Sequence, residues 1–323
     1  MIEKAQSGPP EANSVAPVSS GRTLRWYFVG EQGIRAGWSA LLFAGIFAGL
    51  SIGTGAVLQH FLPLNPDRPI PPAFALIYES CQVLLVLMAT WVMARIEKRS
   101  LFSFGYMSSD KLIRLASGAI WGFAALSVLV GVMWTRGVLV FDGFQLSGVS
   151  AFKYAVVWAL MFLLVGIVEE SLLRGYLQYT LSRGIGFWGA ALLLSLVFAL
   201  LHISNSGESL LGLLSVAAGG LFFCLSLWYT KSLWWAIGFH AGWDWGQSYF
   251  YGTPDSGLVM QGHLLAEHPA GAPLWSGGTT GPEGSLFLFP LLILMAICMW
   301  GWWGYLQRPV PETALASGEH TPV

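Results

Sequence analysis

Charge is what this sequence has least of. Asp, Glu, Lys and Arg make up 10% of its 323 residues, against roughly 25% in a soluble domain. So little charge excludes an ordinary water-soluble globule. A net charge of −1 with no basic face excludes the electrostatic footprint of a nucleic-acid binder. Cysteine is scarce too: Cys81, Cys224 and Cys298 each stand alone in an apolar segment. No pair has disulfide-motif or metal-ligand spacing, and they read as inert core thiols. HExxH is absent, as is any internal repeat. Residues 1–21 are polar and rich in Pro, Ser, Gly and Ala, without the apolar stretch of a signal peptide.

What is abundant is apolar sequence in long runs. Hydrophobic residues reach 55% and mean hydropathy is +0.62. A spanning helix needs roughly 20 such residues. Eight segments qualify as candidates: 36–58, 73–95, 113–135, 151–182, 187–203, 209–229, 233–250 and 285–306. The expected fold is all-α, a polytopic integral membrane protein with about eight transmembrane helices in one domain over 31–307. A disordered cytoplasmic tail is expected over 1–30 and a second tail over 308–323. Lys4, Arg22, Arg25 and Arg35 precede the first segment. Lys98, Arg99 and Lys111 lie in the second loop, and Arg183, Lys231 and Arg308 fall on the same side in an eight-helix alternation. That bias predicts both termini in the cytoplasm, in the cell (inner) membrane. The longest connection, 251–284, has no Lys or Arg and suits the opposite side. Its Gly-rich end, 276–285, predicts a turn folded over a cavity mouth, with Glu283 exposed or helix-terminal and outside any chemistry.

Against this apolar background, a few charges stand out. Ionisable residues inside a spanning segment cost a few kcal/mol each and mark function by default. Glu169-Glu170-x-x-x-Arg174 lies in the fourth segment. Glu170 and Arg174, four apart, share a helix face and can pair. Glu169 is rotated by roughly 100° from Glu170 and faces elsewhere. An ion pair that locks helix packing accounts for Glu170 and Arg174 but not for Glu169. Phe198-x-x-x-His202 ends the fifth segment; alone, such a histidine is more often interfacial than catalytic. His240-x-x-x-Asp244 lies on one face of the seventh, where a carboxylate can fix an imidazole tautomer or simply satisfy it. Counted at 1.5 Å per residue, the three groups fall at overlapping depths. A carboxylate pair, two histidines and an aspartate can therefore meet in one pocket.

The ordered set, present here as "EESLLR", "FALLH" and "HAGWD", resembles the CPBP family of intramembrane glutamic endopeptidases. That family includes type-two CAAX prenyl proteases and bacterial relatives linked to bacteriocin processing and self-immunity. The resemblance covers about residues 150–250. It implies an eight-helix intramembrane protease with no obligatory metal or other cofactor, acting on a peptide or membrane-protein substrate in the lipid bilayer. It implies Glu169 as the general base that activates water, and His202 as the group that orients that water. Glu170 and Arg174 would support them, and His240 and Asp244 would fall at the oxyanion site. Where the family has Asn, the amide donates a hydrogen bond; an ionised Asp does not. Asp244 would therefore be protonated, or would align His240 as the donor. Two other readings stand beside this one. A zinc-dependent membrane protease would use the two histidines with carboxylates, and it ranks lower without HExxH. A non-catalytic scaffold, immunity factor or transporter would use the same cluster to bind a partner.

Overall fold

The computed structural model describes residues 27–30, 33–61 and 71–306. The two expected tails lie outside these residues, except that Val29–Gly30 (β1) pairs with Gly33–Ile34 (β2), so the chain is already structured there. The helices follow the apolar runs: α1 Ala36–Phe61, α2 Pro72–Ile96 and α3 Lys111–Thr135. After strand β3, Leu139–Phe144, come α4 Gly148–Glu170 and α5 Gln178–His202. Then come α6 Leu210–Thr230, α7 Trp234–Asp244, strand β4 Leu265–Pro269 and α8 Leu288–Met299. Among the described residues six helical stretches are long and apolar enough to cross a membrane. The longest, Gly148–His202, is 55 residues. It turns at Gly186, whose φ of 74° and ψ of 163° end one helical run and begin another. Leu41, Ile52, Leu84, Ile113, Leu192 and Ile293 are all exposed. In water this would be a liability; in a bilayer it is the lipid-facing surface, with the backbone satisfied inside the helices. The protein is an all-α integral membrane protein.

Two helices depart from regular α geometry where the polar motifs end. Past Glu170 the chain widens into a π-helical stretch, Ser171–Leu177, and past Asp244 it does so again over Trp245–Tyr251. Such widenings are frequent at functional sites. The sequence predicts one regular helix through 182, and the structure corrects that: π geometry carries Arg174 and turns the chain at Gly175.

Helix α7 is the core of the bundle. From Trp235 to Asp244 every residue is buried. Glycine permits this. A Cβ on Gly118 or Gly122 of α3 would overlap the carbonyl oxygens of Trp235 and Phe239. A Cβ on Gly238 or Gly242 of α7 would overlap those of Leu115 and Ala119. The two GxxxG pairs thus face each other, and backbone meets backbone, as close packing in membranes requires. On the other flank a Cβ on Gly166 of α4 would lie 2.8 Å from Ile237 O. Around this contact Leu126, Leu129, Met133, Phe222, Trp235 and Phe239 form the largest buried cluster. Gly122→Val is therefore expected to destabilise the fold by at least the ~1–3 kcal/mol typical of overpacking, because the obstructing atoms are backbone. A detergent melt should show it, and α7 should lose its register along with the side chains it carries.

The long connection is ordered and carries structure of its own. β4 pairs antiparallel with β3, with a bulge between Phe141 and Gly143. A helical turn Pro273–Ser276 and a 3₁₀ turn Pro282–Gly284 follow. Gly277 and Gly281 have φ of 76° and 94°, and a Cβ on Gly281 would strike Pro254 O. Thr279 and Thr280 reach back to the α5–α6 loop through Gly207 O at 2.8 Å and Ser209 Oγ at 2.8 Å. Ser285 does not cap α8 at its first residue; it donates to Trp275 O at 2.6 Å, and α8 starts at Leu288.

Candidate active site

The three motifs arrive from three helices. α4 and its π extension bring Glu169, Glu170 and Arg174; the end of α5 brings His202; α7 brings His240 and Asp244. His240 is the hub. Its Nδ1 lies 3.1 Å from Glu170 Oε1, and its Nε2 lies 3.4 Å from Glu169 Oε2 and 3.5 Å from Asp244 Oδ2. The ring stacks on Phe223 at 5.2 Å, which fixes its plane. Glu170 Oε1 also accepts from Arg174 Nη1 at 3.1 Å. Arg174 is sandwiched by Phe198 at 4.5 Å and Phe223 at 5.3 Å. Glu170 and Arg174 are 0% and 1% exposed, so their charges are held away from water and paired.

A cavity of about 690 Å³ opens in front of this hub. Glu169, His202, His240 and Asp244 line it; Glu170 and Arg174 do not, and sit behind His240. The expectation of one cavity shared by all is thus corrected for Glu170, which reaches it only through the imidazole. His202 faces the cavity with its Nδ1 on Phe198 O at 2.9 Å, leaving Nε2 for the interior. Apolar side chains of α1, α2 and α4, among them Phe47, Leu58, Phe74, Phe162 and Val165, also line it. Among the described residues no three His, Cys, Asp or Glu side chains are arranged to hold a metal ion.

Two acidic residues in the wall escaped the sequence reading, and a third, Glu283, stands elsewhere than that reading put it. Glu79 is the one acid on α2, a mostly apolar helix. Its signal was present, a lone acid in a spanning segment, but no partner at helical spacing drew attention to it. Asp255 and Glu283 come from the long connection. Glu283 is not the exposed bystander that the sequence suggests. It accepts from Trp243 Nε1 at 2.8 Å and from Ser256 Oγ at 2.7 Å, and it faces the cavity next to the helix that carries Asp244. Asp255 accepts from Ser248 Oγ at 3.0 Å. Burial first, then the charges of Asp244 and Glu283, raise the Asp255 carboxyl well above its ordinary range. In the α5–α6 loop burial likewise raises Glu208, with Glu283 adding to it.

Residues 151–246 match the family model described as Type II CAAX prenyl endopeptidase Rce1-like. The chain is similar to that family over this segment, under a third of its length. Glu169, Glu170, Arg174, His202, His240 and Asp244 all fall inside the matched segment, which ends just past Asp244. The cavity walls from α1, α2 and the long connection lie outside it. No curated protein matches the chain.

Proposed function

We propose that the protein is an intramembrane endopeptidase that hydrolyses a peptide bond of a membrane-associated polypeptide with a carboxylate as base. Its main support is the convergence of Glu169, His202, His240 and Asp244, from three separate helices, on one cavity inside the bundle. Water enters between Glu169 and His202. Glu169 takes its proton as the oxygen attacks the scissile carbonyl, and returns that proton to the leaving amine. His202 Nε2 orients the water. His240 works as the imidazolium, with Nδ1–H on Glu170 and Nε2–H turned toward the developing oxyanion. Asp244, an acceptor where an amide would have donated, stabilises the His240 imidazolium by its charge from 3.5 Å and does not touch the oxyanion itself. Glu170 and Arg174 fix His240 from behind. The Lys and Arg distribution supports both termini in the cytoplasm.

The test is a comparison of membrane proteomes with the wild-type chain, the Glu169→Gln variant and neither. New peptide termini should appear with the wild type alone. A scaffold, immunity factor or transporter built on the same cluster would produce no new termini and would keep its effect in the variant.

A further inference from the structure

The cavity is acidic beyond what hydrolysis uses. Glu79, Glu169, Asp244, Asp255 and Glu283 line it, and among the described residues no Lys or Arg does. Arg174 lies outside the lining and pairs with Glu170, and the one imidazolium in the lining, His240, is shared among Glu169, Glu170 and Asp244. Two of these carboxylates are under-satisfied. Among the described residues the Asp244 side chain, 8% exposed, makes no hydrogen bond, and its ion-pair contact is His240 Nε2 at 3.5 Å. Glu169 Oε2 is shielded from solvent and has no hydrogen-bond partner. A buried acceptor left without a donor costs roughly 1–3 kcal/mol, more when charged. Such a site is stabilised by a ligand that brings N–H donors and positive charge. Phe47, Phe74, Phe162 and Val165 add apolar surface to the wall, and about 690 Å³ is within the usual range for a bound ligand.

We propose that this cavity selects a polypeptide segment carrying a Lys or Arg side chain, received by Asp244, Asp255 and Glu283, with its aliphatic stem along the apolar wall. The inference rests on the protease reading for its consequence, the choice of cleavage site, but the selection itself is a matter of binding. Asp255 and Glu283 come from the connection and Asp244 from α7, so the basic side chain would bridge the two and seat the segment beside Glu169 and His240.

The experiment passes a randomised peptide library over full-length Glu169→Gln protein in detergent and reads the retained sequences by mass spectrometry. Lys and Arg should be enriched about tenfold over Leu and Met, equivalent to about 1.4 kcal/mol, and further over Asp and Glu. Asp255→Asn with Glu283→Gln should reduce that enrichment to near unity. Asp255→Asn alone, which keeps the Trp243 and Ser256 contacts of Glu283, should reduce it part of the way. Asp142→Asn, at an exposed pair with His268, should leave it unchanged. No enrichment, no retention of any peptide, or equal enrichment in the double variant overturns the inference. A wild-type chain that cleaves without basic preference sinks this inference alone. Retained basic preference with no cleavage by the wild type sinks the protease reading alone.

Discussion

Glu169→Gln is expected to lower kcat by roughly 10²–10⁴-fold, the usual contribution of a positioned general base, with KM and the melting temperature nearly unchanged. The stability half of this expectation follows from geometry. The Glu169 side chain is 29% exposed, and its one close partner is His240 Nε2 at 3.4 Å. An amide keeps the shape and a polar contact but cannot take a proton from water. Glu169→Asp withdraws the carboxylate by one methylene and should fall between the two. His202→Ala should also lower kcat while leaving the Glu170–His240 contact intact, because the histidines stand on different helices. Full kcat in Glu169→Gln would move the base to another cavity carboxylate, and Glu79, which faces the same space, would be the next to replace.

The apolar runs told most of the fold. In a bilayer a helix must be long, apolar and internally hydrogen-bonded, so α2 was expected over 73–95 and is found at 72–96, and α6 was expected over 209–229 and is found at 210–230. The EExxxR, FxxxH and HxxxD spacings were legible for the same reason: charge in such segments has few structural excuses. What the sequence left unread depends on tertiary contact. The π stretches after Glu170 and Asp244 leave no residue signature that spacing rules detect. The β3–β4 ribbon joins residues more than 120 apart, and neither strand alternates strongly enough to be seen alone. Glu283 sits in a Gly- and Pro-rich turn that composition reads as surface; only the fold-back onto Trp243 and Ser256 turns it inward. The facing GxxxG pairs were in plain view, but they identify a contact only once their partner is known.

Arg174→Ala should destabilise the protein by roughly 3–5 kcal/mol, the range for breaking a buried ion pair from one side. Glu170 is fully buried, and two groups touch its Oε1: Arg174 Nη1 at 3.1 Å and His240 Nδ1 at 3.1 Å. Removing the guanidinium leaves the carboxylate with His240 alone and empties the slot between Phe198 and Phe223. That slot is shaped for Arg174: a Cβ on Gly220 would stand 2.9 Å from Arg174 Nη2. Lysine does not fill the role, since its ammonium lacks the flat face that lies between the two rings. Arg174→Lys should recover only part of the loss. Glu170→Gln with Arg174→Met removes both charges and should be more stable than Arg174→Ala, although inactive, because no buried charge is left without its partner. Melting curves in detergent for the single and paired variants separate these terms. Equal stability of Arg174→Ala and wild type would mean that Glu170 is neutralised without Arg174, and the support assigned to this pair behind His240 would have to be withdrawn.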